Sequence, residues 1–244
     1  VPEPEASPTA LHEVRRLAEV DSTNRYLLDE AQAGAPTGLV VVADHQLAGR
    51  GRLGRVWEAP PGASLLVSVL LRPALPPERR HLVVLAAAVA MAEAVERATG
   101  VVAVLKWPND LLVGERKLAG ILAESAGDAV VVGIGVNVDW PAVPAELDGI
   151  ATACNLEGGR AAGRDDVLAA FLPAYEARLA DLAAARAAYR ERLATLGRRV
   201  RVEQAHRSLV GTACGVDDDG HLVLDTDEGA VTVAAGDVVH LRPA

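Results

Sequence analysis

Sulfur and aromatic surface are scarce in this chain. Its 244 residues include two cysteines, Cys154 and Cys214, with three Trp, three Tyr and one Phe. Neither cysteine belongs to a Cys-x-x-Cys pair, which argues against a disulfide framework or a structural zinc and suits a reducing cytoplasm. With so few aromatics the core must be built from Ala, Val and Leu, so each Trp has fewer core explanations than usual. No long basic run occurs and the net charge is −9. That balance argues against nucleic acid as the main partner, while leaving room for a local basic site that takes a small anion. A long apolar run is also missing. The stretch from Leu82 to Val95 is interrupted by Glu93 and is too short to cross a bilayer. The start, Val1-Pro2-Glu3-Pro4-Glu5, lacks the basic and apolar regions of a signal peptide. These absences predict a soluble cytoplasmic protein of one large domain, or one of middling size plus a small one.

Residues 1–10 read as a loose tail. Asp21-Ser22-Thr23-Asn24 offers capping side chains for a helix that Ala33-Gly34-Ala35-Pro36 closes. Leu39 to Ala43 is a buried strand, a polar glycine-rich stretch runs from Gln46 to Gly62, and Leu65 to Leu71 is the next strand. Pro76-Pro77-Glu78 opens an alanine-rich helix ending near Gly100. Val101–Lys106, Asp110–Val113, Lys117–Glu124 and Ala129–Val138 are successive strands, with turns at Gly114 and Gly127-Asp128. The expected fold class is therefore α+β, a mostly antiparallel sheet with helices against it. Residues 139–163 read as irregular and Asp165 to about Leu196 as one or two helices. From Arg198 to Ala244 five short strands, broken by Asp-Gly-type turns, predict a small SH3-like β-barrel. The expected domains are 1–197 and 198–244.

Gly49-Arg50-Gly51-Arg52-Leu53-Gly54-Arg55 matches G-x-G-x-x-G literally. A dinucleotide-binding turn, however, needs a helix after its last glycine and an acid about 20 residues on. Here Pro60-Pro61-Gly62 follows, and no acid lies between Glu58 and Glu78. Three arginines in this one loop point instead to carboxylate or phosphate, whose oxygens pair with guanidinium forks. Glycines let the backbone approach a ligand. Such a cluster should be mobile when empty and ordered by an anion; the bland alternative is a solvated surface loop. Trp57 either covers core or stacks on a purine.

Lys106-Trp107-Pro108-Asn109-Asp110 puts a cation, an amide and a carboxylate at a proline break. It reads as a capped turn or as a polar cluster for adenine, ribose, phosphate or Mg²⁺. Lys117 heads a strand, either as a solvated end or as an inward ammonium for an oxyanion. Gly133 and Gly135, with Asn137, interrupt an otherwise buried strand. They mark a bulge or the close approach of a ligand.

Taken together, Ser22-Thr23-Asn24, Gln46 to Arg55, Lys106 to Asp110, Lys117 to Gly120 and Gly133 to Asn137 resemble the biotin–protein ligases. Gly211-Thr212-Ala213, Asp219-Gly220 and Ala235-Gly236-Asp237-Val238 resemble that family's C-terminal domain. The resemblance implies a catalytic domain like the class II aminoacyl-tRNA synthetases. It implies ATP and Mg²⁺ as cofactors, biotin as substrate, and two steps. Biotinyl-5′-AMP forms first, and a lysine of a biotin carboxyl carrier domain of an acyl-CoA carboxylase then takes the biotin. By the same resemblance Ser22, Thr23, Asn24, Gln46, Gly49, Arg50, Gly51, Arg52, Lys117 and Gly120 hold biotin. Arg52, Arg55, Trp57, Lys106, Asn109, Asp110, Lys117 and Asn137 serve the nucleotide. Lys117, Arg52 and Asp110 are the catalytic candidates. No fixed metal site is expected, and Asp110 is a candidate for either Mg²⁺ or the incoming lysine.

Some members carry an N-terminal DNA-binding domain. Only 21 residues precede Ser22, so the short form without DNA binding is expected, as a monomer or weak homodimer. A lipoate or octanoate ligase of the same fold is the nearest rival. A non-catalytic biotin sensor would need an output domain, and none is legible.

Overall fold

A computed structural model describes residue 11, residues 13–204 and residues 206–241; the loose tail expected over 1–10 lies outside them. Among the described residues two sheets form. The chain opens with β1 (Glu13–Val20), α1 (Thr23–Gln32), β2 (Leu39–Gln46), β3 (Ser64–Leu71) and α2 (Leu82–Thr99). It continues with β4 (Val104–Lys106), β5 (Asp110–Val113), β6 (Arg116–Ala126) and β7 (Ala129–Asn137). Helices α3 (Arg164–Ala180) and α4 (Leu182–Arg192) follow. The tail forms β8 (Arg199–Glu203), β9 (Ser208–Val216), β10 (Leu222–Thr226), β11 (Gly229–Val233) and β12 (Asp237–His240).

The larger sheet has seven strands in the order β1-β2-β3-β7-β6-β5-β4. β1 pairs with β2 in parallel and every other pair is antiparallel, so the sheet is mixed and flanked by helices. Alternation along its strands sorts side chains between two faces. Val40, Val42, Val67, Val69, Val132, Ile134 and Val136 join α2 in the main core. That helix is apolar on almost every side, as a helix sandwiched between layers must be. Its alanines let the sheet approach one side while α3 and α4 pack on the other. Leu39, Val41, Leu70 and Val131 face the opposite way and are covered by Leu27 and Ala31 of α1. With only ten residues, α1 cannot cover that face to its far end.

Some boundaries differ from expectation, each for a local reason. β1 went unread because Glu13, Arg15, Arg16 and Glu19 give an edge strand no apolar alternation. Pro77–Arg79 forms a 3-10 turn, and α2 begins only at Leu82. Ser22 occupies the cap position of α1 without a side-chain capping bond, while Thr23 turns toward Gln46 instead. The strand expected from Val101 shortens to Val104–Lys106. Helix α3 ends at Ala180, where the Asp181 carboxylate accepts from the Ala184 amide at 2.8 Å and starts α4. Both cysteines are free, and burial pushes the Cys154 thiol up to about 11. Among the described residues no helix is long and apolar enough to cross a membrane.

The tail forms one five-stranded antiparallel sheet, β11-β10-β9-β8-β12. It is joined to the larger layer by polar contacts, one buried and one half-buried. The Trp107 indole, 2% exposed, donates to the Gly220 carbonyl at 3.2 Å. The Arg190 guanidinium donates to the Val216 carbonyl at 2.7 Å. Replacing a buried aromatic by alanine loses its transfer free energy and leaves a cavity. Trp107→Ala should therefore cost about 3–5 kcal/mol. Urea denaturation checks this, and a midpoint unchanged from wild type would show that Trp107 does not hold the two layers together.

Candidate active site

Where α1 stops, the sheet lies bare. Gly120 of β6 stands opposite Gly135 of β7, and Leu122 stands opposite Gly133. The three glycines put backbone where side chains would stand and form the floor of a cavity. Two of them have no room for even a methyl group. A Cβ on Gly133 would lie 2.0 Å from Asn24 Oδ1, and one on Gly135 would lie 2.4 Å from the Trp57 ring. These residues thus mark close approach rather than a bulge.

One wall is the start of α1. Ser22, Thr23 and Asn24 are buried, and Thr23 and Asn24 sit in a continuous hydrogen-bond network. Gln46 Oε1 accepts from the Thr23 amide at 2.9 Å and from its hydroxyl at 3.0 Å. Ser68 Oγ lies 2.7 Å from Thr23 Oγ1 and 2.6 Å from Asn24 Oδ1. Asn24 Nδ2 donates to the Leu122 carbonyl at 3.1 Å and to Glu124 Oε2 at 2.9 Å. A buried polar group without a partner costs about 1–3 kcal/mol, so a cluster this satisfied is rigid.

The roof is the arginine loop. It folds back on itself: the Gly51 amide donates to the Arg55 carbonyl at 2.7 Å and the Trp57 amide to Gly49 at 3.0 Å. Gly49 does not line the cavity, but a Cβ there would meet the Trp57 carbonyl at 2.3 Å. Leu53 is 73% exposed with φ 56°, a left-handed conformation costing of order 1–3 kcal/mol at a non-glycine.

Clustered arginines repel one another unless something offsets them, and here other residues do. Arg50 pairs with Glu124 at 3.1 Å, Arg52 donates to Asn109 Oδ1 at 3.2 Å, and Arg55 pairs with Asp237 of β12. These partners are acids and an amide from other elements. Burial pulls the Arg52 guanidinium below its ordinary value, and Asp237 and Asp110 act in the opposite sense.

Lys117 lies between this cavity and a second one. Its Nζ is 2.6 Å from Asp110 Oδ1 and 5.7 Å from the centre of the Trp57 ring, so it is neither fully solvated nor free. Trp57 and Lys117 line both cavities. The second, of about 410 Å³, is bounded by Asn137, Trp140, Leu147 and Ala151. The Asn137 amide already bonds Ser64 and the Thr152 carbonyl, a structural task beside any ligand role. The Trp57 indole N–H is buried without a partner, so a ligand acceptor is its missing complement. Lys106 is not brought in; it lines neither cavity and its charge acts on His240. Among the described residues no group of three or more His, Cys, Asp or Glu could hold a metal.

Comparison with known proteins bears directly on this arrangement. Residues 17–139 match the biotin/lipoate A/B protein ligase family, and residues 195–241 match the biotin protein ligase C terminal domain. The chain belongs to the biotin/lipoate A/B protein ligase family. It is 42% identical to the biotin–[acetyl-CoA-carboxylase] ligase of Mycobacterium tuberculosis, over 93% of this chain and 88% of that one. It is 33% identical to the bifunctional ligase/repressor BirA of Bacillus spizizenii, over 90% of this chain and 71% of that one. Its fold superposes on the biotin protein ligase of Aquifex aeolicus in complex with biotin and ATP. That match has a TM-score of 0.83 and 29% identity, and covers 95% of this chain and all of the other.

Within this family frame, three residues at the site were not legible as functional. Asp237 was legible only as part of a turn and of the tail's resemblance, Glu124 as the last residue of a strand, and Ser68 as an interior position of the Leu65–Leu71 strand. The one available signal was Glu124, the acid that ends the apolar run Leu118 to Ala123.

Gly135→Ala should expel the Trp57 indole, since a methyl group there overlaps the ring. Trp107 and Trp140 are buried, so a red shift of tryptophan emission would report Trp57 alone. Emission identical to wild type would contradict the contact.

Proposed function

We propose that this chain is an ATP-dependent biotin–protein ligase: it forms biotinyl-5′-AMP and passes biotin to one lysine of a biotin carboxyl carrier domain of an acyl-CoA carboxylase. The observation that carries this is the meeting of Arg50, Arg52, Arg55 and Lys117 around one glycine-floored cavity. Support comes from relatives named as biotin ligases and from the match to a biotin-specific C-terminal domain. Both favour biotin over lipoate.

In the first step a biotin carboxylate oxygen attacks the α-phosphorus of ATP. The bond to the β-phosphate breaks and pyrophosphate leaves. Two anions must approach, so cations aimed at the developing charge are the main help a protein supplies. Lys117 and Arg52 have that task. The ureido ring lies against Ser22, Thr23, Asn24 and Gln46, with Gly120 and the loop backbone at Gly51 along its pocket and Arg50 above. Arg55, Trp57, Asn109 and Asn137 serve the nucleotide in and beside the second cavity. Lys106 has no support from its position.

In the second step the carrier lysine, as a neutral amine, attacks the acyl carbon. The acyl–phosphate bond breaks, AMP leaves and the amine gives up a proton. Asp110 is paired with Lys117. When Lys117 turns to an anion, Asp110 is released to orient or deprotonate the amine. The carboxylates lining the first cavity, Asp110 and Asp237, each already hold a cation. That fits Mg²⁺ carried in on the phosphates of ATP better than a resident ion.

Residues 1–197 form a catalytic domain of the class II synthetase kind, and 198–244 an SH3-like domain. The protein works in the cytoplasm as a monomer or weak homodimer.

The direct test mixes the protein with Mg·ATP, a carrier domain, and biotin or lipoate side by side. A single added biotin on the carrier is expected; lipoate transfer alone would favour the rival ligase. Lys117→Ala should cut pyrophosphate release by about two orders of magnitude, as loss of a positioned charge does. Near-wild-type release would refute its role. Arg52→Gly should let biotinyl-AMP escape and label lysines on bystander proteins. A variant that holds the intermediate as the parent does would contradict the roof's role as a lid.

A further inference from the structure

Glu124 is a charge where a strand has little reason for one. It follows Leu118 to Ala123 in β6, and alternation puts it on the glycine-floor face, two positions beyond Leu122. Its side chain is 23% exposed, so both oxygens need partners of their own. They find different ones. Oε2 accepts from Asn24 Nδ2 at 2.9 Å, and Oε1 lies 3.1 Å from Arg50 Nη2.

The two partners belong to parts of the site with opposite character. Asn24 is 3% exposed and locked to Ser68 and Leu122. Arg50 is in the roof, and its side chain is 44% exposed. The acceptance by Glu124 also fixes which way the Asn24 amide faces. With Nδ2 held by Glu124 and Leu122, Oδ1 is left to Ser68, and Ser68 in turn touches Thr23. A single carboxylate thus joins the polar wall to the loop above it.

We infer that Glu124 is a positioning residue that couples the wall to the roof: it orients Asn24 and, through Arg50, holds the arginine loop closed over the bound intermediate. This deepens the ligase reading and rests on it. Glu124 does not touch the reacting atoms. Its contribution is to make closure of the loop sensitive to the state of the wall, because displacement of Asn24 shifts the anchor of Arg50.

The test compares the full-length wild type with Glu124→Gln, Arg50→Gln and the double variant. Each is charged with biotin and ATP, freed of excess ligand, and followed for escape of biotinyl-AMP. Glu124→Gln keeps an oxygen for Asn24 and removes the ion pair. It should speed escape about tenfold, the size of one charge-assisted hydrogen bond. Adenylate formation at saturating biotin should stay near the wild-type rate, with KM for biotin raised. The double variant should leak no faster than the leakier single one, as expected for two residues acting through one contact. Glu124→Ala also removes the Asn24 acceptor and should raise KM for biotin further. A Glu124→Gln enzyme that holds the adenylate as wild type does would overturn the proposal, as would single effects that multiply in the double variant. A wild type that makes no adenylate would instead remove the ligase reading itself.

Discussion

Like charges held close together set the terms for the rest of this molecule. At an effective dielectric near 20, two unit charges about 8 Å apart repel by roughly 2 kcal/mol. Arg50, Arg52, Arg55 and Lys117 share one cavity, so none can be kept there unless something offsets its neighbours. The offsets are Glu124 on β6, Asn109 in the β4–β5 turn, Asp237 on β12 and Asp110 on β5. They come from three stretches of chain: the β4–β5 hairpin, β6 and β12. The site therefore draws on both the large sheet and the tail sheet.

The scaffold answers this through asymmetry. One face of the seven-stranded sheet is covered by α2, with α3 and α4 behind it. The other is covered by a single short helix, and the uncovered part becomes the site. Along β6 and β7 the same alternation that drives valines into the core puts Gly120, Gly133 and Gly135 on the open face. Rigidity is divided as well. The Ser22–Asn24 wall is buried and bonded through Thr23 and Asn24, while the loop above it is exposed, carries Leu53 in a strained conformation and is tied down by ion pairs. That combination suits a part that must open and close.

Much of this was legible in the sequence, wherever a local rule coincided with the final structure. The β6–β7 hairpin followed from Gly127-Asp128 between apolar runs, and the five tail strands from evenly spaced turns. The site segments were legible because arginines between glycines, and a lysine heading an apolar strand, have few structural uses. Other parts were not. β1 is an edge strand whose charges hide its pairing. Asp237 acquires its role only when β12 folds against the catalytic layer, a contact 182 residues from Arg55. Lys106 looked like part of the same polar cluster as Asn109 and Asp110 and stands opposite Asp110 in the β4–β5 pairing, yet it lines neither cavity. Composition cannot tell which of several polar neighbours in a turn will line a cavity.

The glycine floor also limits how the site could be redesigned. Engineers who want an enzyme to accept an enlarged analogue usually shave a side chain to make a matching hole. Along β6 and β7 there is nothing left to shave at Gly120, Gly133 and Gly135, because backbone itself is the surface. Extra room would have to come from the roof, at Trp57 or the arginines, or from the bonded wall at Thr23 and Asn24. The first choice trades away containment of a labile intermediate, and the second breaks a cluster whose members support one another.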